Sequence, residues 1–126
     1  MTGLTTSGRV IIGVFFVLAG ISKIMDYAAV GETMAGVGLL PALLPLVIAL
    51  EIGGGAVVMV GRPVRYVWGV ALVLAAFTLL TNFYFHRFWE LDGVMHRLEL
   101  SLFFKNLAIA GALLMVAGVS YRSARP

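Results

Sequence analysis

The chain has 126 residues, 61% of them hydrophobic and only 12% charged, and it carries a formal net charge of +3. Soluble domains carry about 25% charged residues, so this composition excludes an ordinary soluble domain. The chain has no cysteine, which excludes disulfides, thiol redox chemistry and iron–sulfur ligation by its own side chains. Its basic residues are scattered at the ends of apolar segments, which indicates membrane topology and not nucleic-acid binding.

Four apolar segments follow one another along the chain, and each is about 20 residues long. A helix of that length rises about 30 Å, which matches the hydrocarbon core of a bilayer. The segments therefore predict four transmembrane helices, at about residues 4–25, 39–60, 66–85 and 100–119. Because they use nearly all of the chain, we predict a single transmembrane domain over residues 1–126. The fold class is all-α, an integral membrane four-helix bundle with both termini on the same side.

The first segment carries a cation near each end. Only thirteen residues separate Arg9 from Lys23, which is a helical length of about 20 Å and shorter than the hydrocarbon core. One or both cations must therefore lie below the membrane surface or extend strongly towards it. They are candidates for a buried polar cluster, and equally for anchors at the surface.

The second segment, "PALLPLVIALEIGGGAVVMVGR", follows a Gly-rich connector, "DYAAVGETMAGVGLLP", and holds Glu51 near its middle. A carboxylate about 17 Å deep costs several kcal/mol without a partner, so we expect Glu51 to face the bundle interior. Gly54 and Gly55 share its helix face and Gly61 continues the stripe. Small residues let a second helix approach closely, so these three are predicted helix-packing glycines.

The third segment is joined to the second by only "GRPVR", so the two helices are predicted to be antiparallel neighbours. It ends in "FHRFWE", with His86 and Trp89, at the start of the polar connector "HRFWELDGVMHRLELS". His86 with Glu90, and His96 with Glu99, have spacings that could present two metal ligands on one helical face. Because neither pair reaches three or four ligands, we predict no metal site.

The fourth segment begins with Lys105 and Asn106 close to its outer end. Lys105 and Arg122 enclose sixteen residues, about 24 Å, so Lys105 is also expected to intrude into the membrane. We favour Lys105 and Asn106 as the partners of Glu51, with Arg9 second. Aromatic rings near the same end, together with His86 and Trp89, would suit a slot for quinone, which needs apolar walls and a few polar groups.

The arginines suggest an orientation in the membrane. Five of them fall on the side of the two termini with no acidic residue near them, namely Arg9, Arg62, Arg65, Arg122 and Arg125. Both termini are therefore predicted to be cytoplasmic.

Four blocks of the sequence resemble, in order, the four helices of the DoxX family: "GRVIIGVFFVLAGISKIMD", "ALEIGGGAVVMVGRPVR", "TNFYFHRFWE" and "LFFKNLAIAGALLMVAG". The resemblance implies a small multi-pass protein of the prokaryotic inner membrane. Some relatives look like membrane subunits associated with thiosulfate:quinone or quinol redox chemistry, others are linked to detoxification complexes at the membrane, and distant ones are similar to eukaryotic membrane chaperones. The positions that the resemblance carries over are Arg9, Lys23, Glu51, Arg62, His86, Trp89, Lys105 and Asn106.

Three functions compete at this point. The first is a membrane subunit or accessory protein of a redox or stress-defence complex, which binds quinone or another small apolar ligand near Glu51 and Lys105. Such a protein would have a soluble redox partner, would form a homo-oligomer in the lipid bilayer, and would be an oxidoreductase subunit and not a stand-alone enzyme. The second is a small proton-coupled transporter that uses Glu51. The third is a membrane chaperone or assembly protein without a ligand.

Overall fold

The structure is a computed structural model that describes residues 2–126, and these residues form five α-helices and no strand. The helices are α1 (Gly3–Met25), α2 (Tyr27–Gly36), α3 (Leu44–Val60), α4 (Val64–Phe85) and α5 (Gly93–Ala124). Short 3-10 turns at Pro41–Leu43 and Phe88–Glu90 precede α3 and α5. All helices except α2 are long and apolar enough to cross a membrane, counting the first turn with α3. The predicted all-α membrane fold is confirmed.

Two segments that we expected to be connectors are largely helical. The Gly-rich stretch after the first span contains α2, whose buried Met34 packs against Leu44 and Ile48 of α3. Its glycines suggested a loop, but this tertiary contact outweighs their weak helix propensity. Likewise α5 begins at Gly93 and not near residue 100. Gly93 has a φ of 63°, a left-handed conformation that glycine adopts easily and that turns the chain into α5.

The bundle consists of two helix pairs. α1 packs along α3, α4 packs along α5, and the pairs meet mainly between α3 and α4. Side chains from all four spans form the central core, including Phe16, Val58, Leu74 and Leu113. Because the two pairs touch each other less extensively than the helices within each pair, they leave space between them.

Glycines let α1 and α3 come into backbone contact. A Cβ atom added at Gly55 would lie 2.8 Å from the carbonyl oxygen of Gly13, and one added at Gly13 would lie 2.6 Å from that of Gly55. The neighbouring Gly54 faces α4, where an added Cβ would meet Leu74 at 3.2 Å. Gly61 is different, because it ends α3 with a φ of 74° and lies against a side chain of α1 and not against its backbone.

We predict that Gly55→Ala lowers the free energy of unfolding by about 1–3 kcal/mol, because the added methyl group forces α1 away from α3. Gly53→Ala is the matched control on the same helix, since an added Cβ there meets nothing within 4 Å. Thermal unfolding of both variants in detergent micelles, followed by circular dichroism, measures the difference. Equal stability of the two variants would contradict the close contact.

Candidate functional site

An ion pair between Lys23 and Glu51 joins α1 to the middle of α3. The Nζ atom of Lys23 lies 2.8 Å from Oε1 of Glu51 and donates a hydrogen bond of 3.1 Å to Oε2. The Glu51 side chain is 2% exposed, whereas that of Lys23 is 30% exposed. The carboxylate therefore faces the bundle interior, and its partner reaches it from the end of the neighbouring helix.

The partner of Glu51 is not the one that the sequence suggested. We favoured Lys105 with Asn106, and then Arg9, but the structure pairs the acid with Lys23. Two features explain this outcome. The glycine contacts bring α1 close to α3, so that a Cβ added at Gly20 would lie 3.3 Å from Cβ of Glu51. Helical side chains also lean towards the N-terminus of their helix, which directs Lys23 from the end of α1 back into the membrane.

Arg9 caps the C-terminal end of α3 and takes no part in this pair. It is buried, and its Nη1 atom donates to the carbonyl oxygens of Val58 and Met59, each at 2.6 Å. The last carbonyl groups of a helix have no partner within the helix and carry partial negative charge, so a cation stabilises them. Gly61 is required beside it, because a Cβ at that position would collide with the guanidinium group.

Two asparagines join α4 to α5. Asn82 is fully buried and its Nδ2 atom donates to the carbonyl oxygen of Phe103 at 3.0 Å. Asn106 in turn donates to Oδ1 of Asn82 at 3.3 Å. Asn106 is one of the predicted site residues and Asn82 is not, although an amide within the apolar "LLTNFYF" stretch could have indicated a buried polar contact.

His86, at the end of α4, lies beside Glu99 of α5. Its Nδ1 atom is 2.5 Å from Oε2 of Glu99, so His86 and Glu90, whose spacing could have presented two metal ligands, have different partners. Glu90 instead lies 3.8 Å from Arg87, and Nδ1 of His96 contacts the carbonyl oxygen of Phe88 at 2.8 Å. Within residues 2–126, no group of three or more His, Asp and Glu residues is arranged to hold a metal ion.

A cavity of about 570 Å³ lies between the two helix pairs on the side of α2. Most of its wall is apolar, with the rings of Phe15, Phe16, Phe77 and Phe85 among the lining groups. Its polar lining groups include Lys23, Asp26, Glu51, Thr78, His86 and Asn106. The cavity thus brings an ion pair, an imidazole and an amide into contact with one largely apolar space, which is the usual composition of a small-molecule site.

Besides Arg9, two residues that the sequence placed in this cluster lie elsewhere. Lys105 is exposed on a different face of α5, in a shallow groove with Arg97 and Ser101. Trp89 is 51% exposed and contacts the rings of Phe83, Phe88 and Phe103. Of the seven residues of the predicted polar cluster, the structure gathers Lys23, Glu51, His86 and Asn106 around the cavity.

We predict that Lys23→Met destabilises the protein by roughly 3 kcal/mol, because it leaves a buried carboxylate without its cation. Adding Glu51→Gln to this variant removes the second charge and should restore much of the loss. Lys105→Met, which removes an exposed lysine, is the matched control. All variants are measured in detergent without lipid. Thermal unfolding midpoints of the three variants test this order, and a Lys23→Met protein as stable as the control would contradict it.

Comparisons with known proteins agree with this architecture. The DoxX family model matches residues 4–87. Over 109 residues the chain is 39% identical to the inner membrane protein YqjF of Escherichia coli (strain K12), an alignment that covers 86% of this chain and 78% of that protein. The inner membrane protein YphA of the same strain is 27% identical over 111 residues, covering 86% and 77% respectively. No solved structure matches the chain.

The family match extends over three of the four membrane-crossing helices, and both relatives are inner membrane proteins. This protein is therefore a multi-pass inner membrane protein that belongs to the DoxX family.

Proposed function

We propose that the protein is an accessory subunit of a membrane redox or stress-defence complex and binds a small, mostly apolar ligand of the quinone class between its helix pairs. The observation that carries this proposal is the cavity of about 570 Å³ with the Lys23–Glu51 ion pair in its wall. The sequence predicts the ligand near Glu51 and Lys105. The proposal keeps Glu51 and replaces Lys105 with Lys23, because Lys105 does not line this space.

The size and lining of the cavity support a ligand of this class. Sites for small molecules typically enclose about 300–1,000 Å³, with apolar walls and a few polar groups that fix the orientation of the ligand. A quinone ring carries two carbonyl oxygens, each of which accepts hydrogen bonds. The Lys23 ammonium has three N–H groups, so it can bind Glu51 and still donate to a ligand, and the amide of Asn106 has a second N–H group.

The position of the charges also suggests how a ligand would be oriented. Lys23 lies at the outer end of α1 and His86 at the end of α4, while Glu51 lies deeper, in the middle of α3. The polar head of the ligand would contact these groups, and an apolar tail would lie against the phenylalanine rings of the wall. Glu51 and His86 are the groups that could exchange protons with such a head.

The link to a redox complex rests on the family resemblance, and the chain itself sets one condition on it. With no cysteine, the chain has no thiol pair to carry electrons. Electrons would therefore come from a partner, which agrees with an accessory role and with a soluble redox protein bound at the membrane surface. We further propose cytoplasmic termini, on the basis of the arginines at the junction of α3 and α4 and at the C-terminal end of α5.

The ion pair makes the transporter alternative weaker. A transporter that exchanges protons for cationic substrates on Glu51 needs that carboxylate free to bind the substrate. Here Lys23 occupies the position next to both of its oxygens. If proteoliposomes with the wild-type protein take up a cation and those with Glu51→Gln do not, that result would favour the transporter over our proposal.

We predict that the purified protein binds a short-tailed benzoquinone and that Ala19→Phe weakens this binding roughly tenfold or more, about 1.4 kcal/mol, because the new ring takes up space that the ligand needs. Ala19 lines the cavity, and the added ring would occupy part of this space while both Lys23 and Glu51 are kept. Ala76→Phe is the control, because Ala76 is exposed and lies on α4 outside the cavity. Equilibrium dialysis gives the affinities, and thermal unfolding checks that both variants fold.

A wild-type protein that binds no quinone, or an Ala19→Phe protein that binds as tightly as the Ala76→Phe control, would overturn the proposal. If the wild-type protein binds no quinone, and if Glu51→Gln changes only stability or assembly, the results would favour the chaperone alternative.

A further inference from the structure

We propose that the outward face of α5 near its N-terminal end binds the phosphate group of an anionic phospholipid, through Arg97, Ser101 and Lys105. These residues line a shallow groove of about 440 Å³ together with Leu100, Phe104 and Ala108. All six residues belong to α5. This inference does not depend on the proposed quinone site, which lies on the opposite side of the helix, around Asn106.

The three polar side chains form a single row. They are spaced four residues apart, so they lie one above the other on the same helical face and span about 12 Å along the axis. Helical side chains lean towards the N-terminus. Lys105 therefore leans towards Ser101 and Arg97, and away from the middle of the membrane. An arginine fork, a hydroxyl group and an ammonium group thus follow one another along one strip of the surface.

No carboxylate neutralises this row. All three side chains are exposed, and within residues 2–126 neither Arg97 nor Lys105 has an acidic group within 4 Å. Of the nearest acids along the chain, Glu99 bonds to His86 and Glu90 lies beside Arg87. Asp92, which precedes α5, is exposed and forms no ion pair within 4 Å. Glu99 also faces a different direction, since it is two positions from both Arg97 and Ser101 and residues two apart point to different sides of a helix.

The depth of Lys105 indicates which anion is complementary to the row. Its Cα atom lies about 8 Å below the start of the apolar part of α5 at Leu100, on a face directed at lipid. A cation in that position is costly unless it reaches the interface or binds an anion. The phosphate of a phospholipid lies at the level that Lys105 reaches, and basic side chains at this level attract anionic lipids.

The apolar residues of the groove are arranged to hold the rest of such a lipid. Leu100, Phe104 and Ala108 follow each other towards the middle of the membrane, beside the row of polar groups. An acyl chain that descends from a bound phosphate would pass along them. Arginine is suited to phosphate because its planar fork forms two parallel hydrogen bonds. The chemistry of the groove therefore matches a lipid with an anionic head and not a free ion.

The test measures lipid binding to delipidated protein in a neutral detergent by native mass spectrometry, with phosphatidylglycerol and with zwitterionic phosphatidylcholine. The wild-type protein should bind phosphatidylglycerol in preference to phosphatidylcholine. The Arg97→Gln/Lys105→Gln variant should bind it roughly 30-fold more weakly, because each basic side chain near an anionic lipid surface contributes about fivefold. The Arg62→Gln/Arg65→Gln variant, which loses two exposed arginines at the other end of the bundle, should keep the wild-type affinity.

Arg97→Lys/Lys105→Arg retains both charges and should bind nearly as well as the wild type, which separates loss of charge from loss of fold. Equal affinity of the Arg97→Gln/Lys105→Gln variant and the wild type would overturn the proposal. Displacement of the lipid by millimolar inorganic phosphate would also overturn it, since the groove would then bind a free anion. So would a change in the oligomer mass of the Arg97→Gln/Lys105→Gln variant with unaltered lipid binding, since the groove would then bind a second copy of the chain.

Discussion

The ion pair between Lys23 and Glu51 is the constraint on which the rest of this structure depends. A buried carboxylate in the middle of a membrane-crossing helix is tolerated only with a cation or strong hydrogen-bond donors beside it. Here the cation comes from the next helix in the bundle, so the pair fixes the register of α1 against α3 as well as neutralising charge. Register is the best-attested use of buried polar groups in helical assemblies. The backbone contact at Gly13 and Gly55 depends on the same register.

The way in which the helices are paired explains why the cavity exists. α1 with α3 and α4 with α5 form two closely packed units, each joined by its own polar contacts. Lys23–Glu51 joins the first unit, while Asn82, Asn106 and His86–Glu99 join the second. Since these contacts satisfy each unit internally, no polar side chain is required to bridge the two units at the level of Glu51. An apolar space bordered by charged groups remains there, and it is the space in which we propose that a ligand binds.

Much of the fold could be predicted from the sequence, because segment length and hydropathy determine how often a chain crosses a bilayer. The inward direction of Glu51 could also be predicted, because a carboxylate that faces lipid costs several kcal/mol. The partner of Glu51 could not be predicted, because distances along single helices give the depth of Lys23, Lys105 and Arg9 but not which helices are neighbours. Lys105 was misplaced for this reason. Its depth was a sound reason to expect an intramembrane role, but depth does not say towards which side of α5 the lysine points. The helicity of α2 likewise depends on a tertiary contact of Met34 that no local pattern reveals.

The most direct test of the account measures the distance between the two charged groups in a bilayer. Solid-state NMR of protein with ¹⁵N-labelled lysine and ¹³C-labelled glutamate, carrying Lys105→Arg so that Lys23 is the sole lysine, reports the dipolar coupling between Nζ and the side-chain carboxylate carbons. We expect a coupling that corresponds to an ion pair, with nitrogen and oxygen within about 4 Å, and its loss when Glu51 is replaced by Gln. A spectrum without such a coupling, or one that is unchanged by Glu51→Gln, would contradict the arrangement.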